Sequence, residues 1–400
     1  MRRRMLERPL LAAALSLMLA RGTLGCSASA ADPPPSSTSQ TATTSAANTP
    51  GSGAANAPGS GPAAPGSTAS SGPAAPGSAP AAARSVPASS ADVRALAEHP
   101  PRPADGKGAG LAGPVDSALD SGWITRLATA EITELTANRG GGSVSLKARF
   151  ADGKKAAIKL EQTGHPTDPR AEIAAYHVDR LLGFGRTAVV VGRSFALADL
   201  RAALVAGKAE PAFLDRLDKL VVTPDGRVAA AMVAWHTASL VEEAVAPTWA
   251  DALNTKDPVA PDLLSRVSEW SDLVVFDFLI DNPDRFSGGN ILRLDRKGPL
   301  VFLDQGAAFG KNRLKEKLTT KDRLEKVCRF QTATLAALAR ATPAPGKGET
   351  LGEQLGKSLS TDPLAPVLDA AQLAGLDERA RALAGHVRAC KGRLGAASTL

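Results

Sequence analysis

The stretch DFLIDNPDRFSGGNILRLDRKGPLVFLDQGAAFG, residues 277–310, decides the fold because it sets polar, acidic loops at the ends of apolar elements. From Asp262 onward, apolar residues recur at helical spacing. This periodicity predicts a long core helix that ends at Asp281-Asn282-Pro283.

A loop, a hairpin and a second loop follow this helix. The first loop carries Asp284 and Asn290, and two apolar runs, residues 291–294 and 300–303, are typical of strands. Asp304 comes immediately after the second run and before Gln-Gly. Two carboxylates and one amide are therefore placed on loops at the ends of core elements.

This order of residues predicts a kinase catalytic centre. Asp284 is suited to orient or deprotonate an attacking hydroxyl group. Asn290 and Asp304 are suited to hold a divalent cation on the phosphates. Phosphoryl transfer needs such residues because hard cations must neutralise the charge on the γ-phosphate while the nucleophile is aligned.

The region before residue 236 is predicted to be mostly strands. Residues 144–150 alternate as a half-buried strand does, and Asp152-Gly153 is a hairpin turn signal. A helix over 169–182 is predicted, with Asp168 as its cap and Pro169 as its first residue. The other predicted strands are residues 155–160, 188–191, 220–222 and 228–234.

Two side chains in this β-rich region complement the acidic loops. Lys159 lies on the second strand, where it suits contact with the α- and β-phosphates, and Glu172 on the following helix suits its ion-pair partner. Gly140 and Gly141 precede the first strand, where backbone amides can approach phosphate. A flexible entry into the domain explains these glycines equally well.

We therefore predict an α+β domain with a two-lobed, atypical protein-kinase-like fold over residues 114–400. The β-rich N-lobe spans about 114–235, and the larger α-helical C-lobe spans about 236–400. ATP with Mn²⁺ or Mg²⁺ is expected between the lobes, held by Lys159, Asp304, Asn290 and Glu172.

The first 30 residues are typical of an export signal. Arginines precede the short apolar run PLLAAALSLMLA, which is too short to span a bilayer comfortably. Thr23-Leu24-Gly25-Cys26 resembles a lipobox, which would make Cys26 a lipidated first residue. Ala28-Ser29-Ala30 is the alternative cleavage site. We expect a lipoprotein of the periplasm, outer membrane or cell surface, or a secreted protein.

Residues 31–113 are predicted to be a disordered tether. They consist almost entirely of Ala, Pro, Gly, Ser and Thr, so they bury too little apolar surface to offset the entropy of ordering. The heptapeptide GPAAPGS occurs at residues 61–67 and again at 72–78, a period too short and too rich in proline for a solenoid.

The charge distribution argues against nucleic-acid binding, and the histidine spacing argues against a histidine metal site. Five arginines and Glu7 in the first 21 residues account for more than half of the net charge of +7, so the folded part shows no nucleic-acid signature. His165, His177 and His236 lack metal-ligand spacing and are interpreted as surface or core residues. Trp235 lies where a hinge strand contacts adenine, although an aromatic side chain there is more often core.

Two cysteines remain in the predicted domain. Cys328 and Cys390 both lie on predicted helices. In an exported protein they either form a disulfide between those helices or remain buried thiols.

Several segments resemble one family of secretory-pathway kinases, the Golgi casein kinase type, which includes a proteoglycan xylose kinase and, more distantly, four-jointed. The resemblance runs in order from Ser121 to Arg393 and suggests a bacterial-type exported relative. The matching segments are EIAAYHVDRLLGFGRTAVVVGR from Glu172, VVFDFLIDNPDR from Val274, VFLDQGAAFGK from Val301, EKVCRFQTATLAAL around Cys328 and HVRACKG around Cys390.

The resemblance implies that Asp284 is the catalytic aspartate, Asp304 the essential metal ligand and Glu172 a partner of Lys159 that also touches metal. It implies good use of manganese and disulfide cysteines in the C-terminal helices. Asn290 is carried over from the wider pattern of lipid and atypical kinases. The chain departs from that pattern because Phe286 replaces a histidine and Asn290 lies one residue farther from Asp284.

The expected acceptor is a hydroxyl group on an exported protein or a glycan. We expect no nucleic-acid partner, membrane attachment only through Cys26, and a monomer or weak dimer. Two alternatives to a kinase are an inactive nucleotide- or ligand-binding module on the envelope and a nucleotidyl transferase with the same fold.

Overall fold

The structure is a computed structural model that describes residues 120–138, 142–235, 239–243, 247–286, 289–296, 298–310 and 319–400. The predicted export signal, tether and Cys26 lie outside these residues, as do Gly140, Gly141 and His236. No helix in the described ranges combines the length and apolarity that crossing a bilayer requires.

An antiparallel five-stranded sheet with flanking helices forms the first half of the described chain, here called the N-lobe. Its elements are α1 (Asp120–Thr129), β1 (Ile132–Ala137), β2 (Ser145–Phe150), β3 (Lys155–Leu160), α2 (Pro169–Leu182), β4 (Val190–Ala196), α3 (Leu197–Ala206), α4 (Pro211–Asp215) and β5 (Arg227–Ala234). The strand order is β1-β2-β3-β5-β4.

The β2–β3 hairpin forms where the sequence predicts it. Gly153 occupies the turn with a φ of 80°, a conformation that side chains with a Cβ rarely adopt. Ala156, Ile158 and Leu160 on β3 face the core, whereas Lys159 points to the other side of the sheet. The hairpin thus supplies both core contacts and a lysine outside the core.

Helix α2 also begins as predicted. The Asp168 side chain accepts the Arg170 N–H group, and Pro169 is the first helical residue. The helix packs against β4 and β5 and buries most of its residues, including Glu172 in the first turn. Its start therefore sets the position of Glu172.

Two predicted strands differ from the structure. The strand predicted at residues 188–191 is β4, which begins at Val190 and continues to Ala196. Residues 220–222 form only isolated bridges, from Leu220 to Gln162 and from Val222 to Val228. Val221 and Val222 are 36% and 42% exposed, so only Leu220 of this apolar triplet lies in the core. Helix α1 and strand β1 were not predicted.

The second half, here called the C-lobe, is mainly helical, with a small three-stranded sheet. Its elements are β6 (Leu240–Glu242), α5 (Pro247–Ala252), α6 (Leu264–Ile280), β7 (Ile291–Leu294), β8 (Leu300–Phe302), α7 (Thr320–Leu324), α8 (Thr332–Ala341), α9 (Leu351–Leu359) and α10 (Ala370–Leu394). Helix α6 is the predicted core helix, and every residue from Val267 to its end is buried.

A C-lobe loop contacts the N-lobe at β4. The Gly192 N–H group donates to Oδ2 of Asp362 at 2.9 Å, and the Leu364 N–H group donates to Oδ1 of the same carboxylate at 2.8 Å. Nearby, His177 on α2 hydrogen-bonds Ser358 on α9. These contacts hold the lobes together on the side of α2 that faces α9.

Gly192→Ala is expected to reduce the free energy of unfolding by about 1–3 kcal/mol. A Cβ at this position would lie 2.2 Å from Oδ1 of Asp362 and 2.7 Å from Cγ of Leu364, so the contact between this loop and β4 must shift. Urea denaturation measures the loss. Gly392→Ala is the matched control, because no atom lies within 4 Å of the added Cβ on α10 and helix propensity favours alanine. Equal effects of the two substitutions would refute the steric account.

Stability is expected to fall between pH 5 and pH 8 because of Asp362. Burial raises the pKa of this carboxyl group from 3.8 to about 6, although two backbone N–H groups oppose the rise. The folded state therefore binds the proton more tightly than the unfolded state. The resulting stabilisation is complete below pH 3.8 and is lost as the pH rises through 6.

Between pH 5 and pH 8 this loss amounts to about 1.4 kcal/mol. We expect Asp362→Asn to flatten the pH dependence of the unfolding free energy by that amount. Asp215→Asn removes the same charge from an exposed side chain and controls for net charge. A pH dependence unchanged by Asp362→Asn would contradict the assignment.

Candidate active site

Lys159 lies at the centre of a charged cluster between the lobes. Its neighbours across β3 are Ser145 on β2 and Ala231 on β5, both small residues. Its Nζ lies 2.5 Å from Oε1 of Glu172 and 2.8 Å from Oδ1 of Asp304. One lysine from the N-lobe sheet thus contacts a carboxylate of the N-lobe helix and a carboxylate of the C-lobe loop.

The three charged groups of the cluster shift one another's pKa values in different directions. Burial alone would lower the pKa of Lys159, but the charges of Asp304 and Glu172 outweigh it and raise that pKa above its ordinary value. Burial raises the pKa of Glu172, and the Lys159 charge opposes this effect. The Lys159 charge holds the pKa of Asp304 below its usual range. At neutral pH, Lys159 is therefore charged and Asp304 is ionised.

Exposure separates the two carboxylates. The Glu172 side chain is 4% exposed, whereas that of Asp304 is 47% exposed. Glu172 also accepts the backbone N–H group of Gln305. Glu172 is thus fixed behind the lysine, and Asp304 presents carboxylate surface to solvent and to ligands.

The loop after β8 is tied to the start of α2. Asp304 has a φ of 58°, a left-handed conformation that aspartate and asparagine tolerate better than most residues. Two residues later, the Gly306 carbonyl accepts the Asp168 N–H group at 2.8 Å. A Cβ on Gly306 would lie 3.2 Å from Thr167, so the two loops pack closely. This contact brings Asp304 to Lys159 across the lobes.

The loop after α6 is built on buried amides. Helix α6 ends where Asp281 adopts a left-handed conformation. Oδ1 of Asn282 accepts the Asp284 N–H group at 3.1 Å, and its Nδ2 donates to Oε1 of Gln305 at 2.9 Å. Nδ2 of Asn290 donates to the Asp284 carbonyl at 2.9 Å. Asp284 and Asn290 are therefore held on one loop, which is joined to the loop that carries Asp304.

Arg285 is the buried centre of these two loops. Its guanidinium forms a bidentate pair with Asp277 on α6, at 2.9–3.2 Å. The same group donates to Oε1 of Gln305 at 2.6 Å and to the carbonyls of Asn290 and Leu303. One fully buried cation thus links the end of α6, the Asp284 loop and the Asp304 loop.

The predicted site residues that the structure describes share this region. Lys159, Glu172 and Asp304 are in direct contact, and Asp284 and Asn290 lie on the adjoining loop. Gly140 and Gly141 are outside the described residues, so the predicted glycine contact to phosphate stays a prediction.

Sequence reasoning missed the supporting residues. Asp277, Asn282, Arg285 and Gln305 position the two loops, and all four are buried polar side chains. The sequence signal for them was the presence of polar residues at the end of an otherwise apolar helix. Buried polar groups need hydrogen-bond partners, so such residues indicate a polar network. His165, interpreted as an ordinary surface or core histidine, instead lies in the electrostatic field of both Asp304 and Asp284.

Trp235 directly follows β5. Its backbone N–H group donates to the Lys155 carbonyl, and Nζ of Lys147 lies 4.6 Å from the centroid of its ring. The ring is half-buried. Trp235 is therefore not a fully buried core residue.

Cys328 and Cys390 form a disulfide, with their Cα atoms 5.0 Å apart. The bond joins the segment before α8 to helix α10 across 62 residues. The pairing alternative for these cysteines is confirmed, although Cys328 lies outside a helix.

The chain is similar to proteins of one family. A model described as Fam20C, Golgi casein kinase, C-terminal, Fam20, matches residues 235–399. Human extracellular serine/threonine protein kinase FAM20C is 25% identical over 319 residues, 67% of this chain and 54% of that protein. Glycosaminoglycan xylosylkinase of Danio rerio is 26% identical over 268 residues, 58% of this chain and 62% of that protein. The chain thus spans roughly half of the first relative's length.

Solved structures show the same fold. The Golgi casein kinase with Mn and ADP bound matches 71% of this chain and 79% of its own, with a TM-score of 0.54 and 21% identity. The hydra Fam20 structure with sugar matches 72% of this chain and 93% of its own, with a TM-score of 0.54 and 22% identity. The predicted two-lobed, kinase-like α+β fold is confirmed.

Proposed function

We propose that the chain is an ATP-dependent kinase of the Fam20 type, because the family model of the Golgi casein kinase C-terminal domain matches residues 235–399 and the similar curated proteins are kinases. It transfers the γ-phosphate of ATP to a hydroxyl group of an exported protein or glycan. The observation that carries this proposal is the contact of Lys159 with both Glu172 and Asp304, which joins β3, α2 and the loop after β8.

The residues around Asp304 fit a divalent cation. Asp304 is ionised and half-exposed, and its neighbourhood offers the oxygen donors that Mg²⁺ and Mn²⁺ prefer. Asp304 would hold the ion, assisted by Asn290 and by Glu172. Bound there, the cation supplies positive charge that neutralises the phosphates. The solved relative with Mn and ADP supports manganese as the metal.

Lys159, Glu172 and Asp284 have the remaining roles in the reaction. Lys159 binds the α- and β-phosphates, and Glu172 fixes the direction of its side chain. Asp284 faces the acceptor hydroxyl group and accepts its proton. The acceptor oxygen forms a bond to the γ-phosphorus, the bond from that phosphorus to the β-phosphate oxygen breaks, and ADP leaves.

The acceptor is an exported protein or glycan, outside the cytoplasm. Human FAM20C is named as an extracellular serine/threonine protein kinase, and the Danio rerio relative is named as a glycosaminoglycan xylosylkinase. Export agrees with a signal over residues 1–30, with Cys26 as a lipid attachment site. Residues 31–113 then act as a tether that holds the kinase domain away from the envelope.

Transfer of label from ATP tests the reaction class. The full chain is incubated with Mn²⁺ and either γ-labelled or α-labelled ATP, in the presence of a serine-rich protein or a xylose-containing glycan. Label from γ-labelled ATP on either acceptor supports the kinase, and the labelled acceptor identifies its class. Label from α-labelled ATP alone would indicate nucleotidyl transfer, and binding without transfer would indicate an inactive module. Either result would refute the proposal.

A further inference from the structure

Glu269 is a buried carboxylate in the middle of α6, and the proposed reaction does not use it. Three guanidinium groups surround it. Nη1 of Arg293 on β7 lies 3.0 Å from Oε2, Nη1 of Arg266 lies 3.7 Å from the same oxygen, and Nη1 of Arg186 lies 3.5 Å from Oε1. Because a buried ion pair adds little stability over apolar side chains of similar size, stability alone does not account for this cluster.

The pair of Glu269 and Arg186 holds both ends of β8. Glu269 accepts the backbone N–H group of Leu300, the first residue of the strand. The Arg186 carbonyl accepts the N–H group of Phe302, the last residue of the strand, at 3.0 Å. Asp304 follows two residues later. The position of Asp304 therefore depends on two residues that are themselves joined by an ion pair.

Arg186 is also fastened to α2. Its backbone N–H group donates to Oδ1 of Asp179 at 2.9 Å, and Asp179 is a buried residue of α2. The same helix carries Glu172. The ion pair of Arg186 on α6 thus connects the helix that bears Glu172 with the strand that leads to Asp304. Lys159 contacts both of these carboxylates.

Two more acidic groups lie near the buried carboxylate. Glu243, which follows β6, pairs with Arg293. Asp272, one turn later on α6, accepts hydrogen bonds from Gln331 at 2.5 Å and from Thr334 at 2.7 Å. The partners of Asp272 thus belong to the start of α8, whereas those of the first carboxylate belong to β7, β8 and the loop before β4.

These groups set the protonation of Glu269 close to neutral pH. Burial raises its pKa from 4.5 to about 7, and the charge of Asp272 adds to the rise. The charges of Arg186 and Arg266 and the Leu300 N–H group lower this pKa. Glu269 is therefore ionised above pH 7 and neutral below it. Protonation removes the charge that attracts the Arg186 guanidinium.

We propose that Glu269 is a positioning residue for phosphoryl transfer, which holds Asp304 in place through Arg186 and β8. This inference rests on the proposed kinase function. It assigns to Glu269 an effect through its neighbours, without contact with ATP or with the acceptor. The charged form keeps β8 joined to α2, and the neutral form weakens that connection. A small displacement of Asp304 then slows transfer, because the reaction depends on the alignment of metal and phosphate.

Glu269→Gln removes the charge and keeps the size of the side chain. Initial rates of γ-label transfer from ATP with Mn²⁺ to a serine-rich protein or a xylose-containing glycan are measured on the full chain between pH 6 and pH 8. We expect Glu269→Gln to lower kcat/KM for ATP with Mn²⁺ about tenfold at pH 8, and to leave the KM for the acceptor within about twofold. The rate of the unmodified chain is expected to fall about fivefold from pH 8 to pH 6, whereas that of Glu269→Gln stays nearly constant.

Asp272→Asn is the matched control, since it neutralises an equally buried carboxylate on the same helix. We expect it to keep the rate of the unmodified chain at pH 8. Because the Asp272 charge raises the pKa of Glu269, this variant is also expected to shift the decline in rate to lower pH. The melting temperature of each variant reports the fold. Equal losses from both substitutions at pH 8, or a pH dependence that Glu269→Gln retains, would show that Glu269 only supports the fold, and would overturn the proposal.

The pH dependence of the unmodified chain tests the proposal even if a variant does not fold. A transfer rate that is constant from pH 6 to pH 8 overturns the role of Glu269 and leaves the kinase function intact. If the unmodified chain transfers no γ-label at any pH, the kinase function is wrong, and this inference is wrong with it.

Discussion

Asp304→Asn is expected to slow phosphoryl transfer about 1,000-fold while leaving the protein folded. The substitution removes the exposed, ionised carboxylate that we assign to the metal. Asparagine tolerates the left-handed φ of 58° at this position, and Lys159 keeps its contact with Glu172. Initial rates of γ-label transfer measure the loss, and the melting temperature reports the fold.

Asp295→Asn is the matched control for this substitution. Asp295 also has a left-handed conformation, with a φ of 55°, but lies in the turn between β7 and β8. We expect it to transfer label at the rate of the unmodified protein. Full activity of Asp304→Asn, or an equal loss in both variants, would show that the Asp304 carboxylate is not part of the reaction.

Arg285→Met is expected to reduce the free energy of unfolding by about 3–5 kcal/mol, the largest effect on stability that the site predicts. The substitution leaves Asp277 buried without its bidentate partner and removes a donor from Gln305. It also leaves the carbonyls of Asn290 and Leu303 without their guanidinium contact. Burial raises the pKa of Asp277 and the Arg285 charge opposes that rise, so the substitution removes the main group that favours the ionised carboxylate.

A double-mutant cycle separates the pair from its surroundings. Asp277→Asn combined with Arg285→Met is expected to lose less than the sum of the two single losses, because neither charge is then left unpaired.

Arg149→Met is the exposed counterpart. Its ion pair with Glu134 has a length of 2.7 Å, and both side chains are about half-exposed, so its removal should cost less than about 1 kcal/mol. Similar losses from the two arginines in urea denaturation would contradict a special role for Arg285.

Local patterns predicted the elements that carry the site. The β2–β3 hairpin follows from alternation and an Asp-Gly turn, and the start of α2 follows from Asp168 and Pro169. Helix α6 follows from its apolar periodicity. Lys159, Glu172, Asp284 and Asp304 were predicted as site residues because their types and their order along these elements match the pattern that phosphoryl transfer requires.

Local patterns failed where an apolar or polar side chain took its role from distant partners. Val222 belongs to an apolar triplet, yet it is 42% exposed and the triplet forms only isolated bridges. Local sequence placed Arg285 on a surface loop. It is fully buried, because it pairs with Asp277, which lies eight residues earlier on α6. His165 had no spacing that marked it, since its neighbours Gly142 and Asp304 come from other segments.

The sequence by itself determined on which kind of element each proposed site residue lies, because helix periodicity, strand alternation and capping depend on neighbours a few positions away. Tertiary structure alone decided that Lys159 meets Asp304 across 145 residues at 2.8 Å, that Arg285 joins the two loops, and that Asp362 closes on Gly192 across 170 residues. These contacts form between surfaces that approach each other only when the chain packs into its tertiary structure. Because an unpaired buried charge is costly, each buried charged group is paired there with a group from a distant segment.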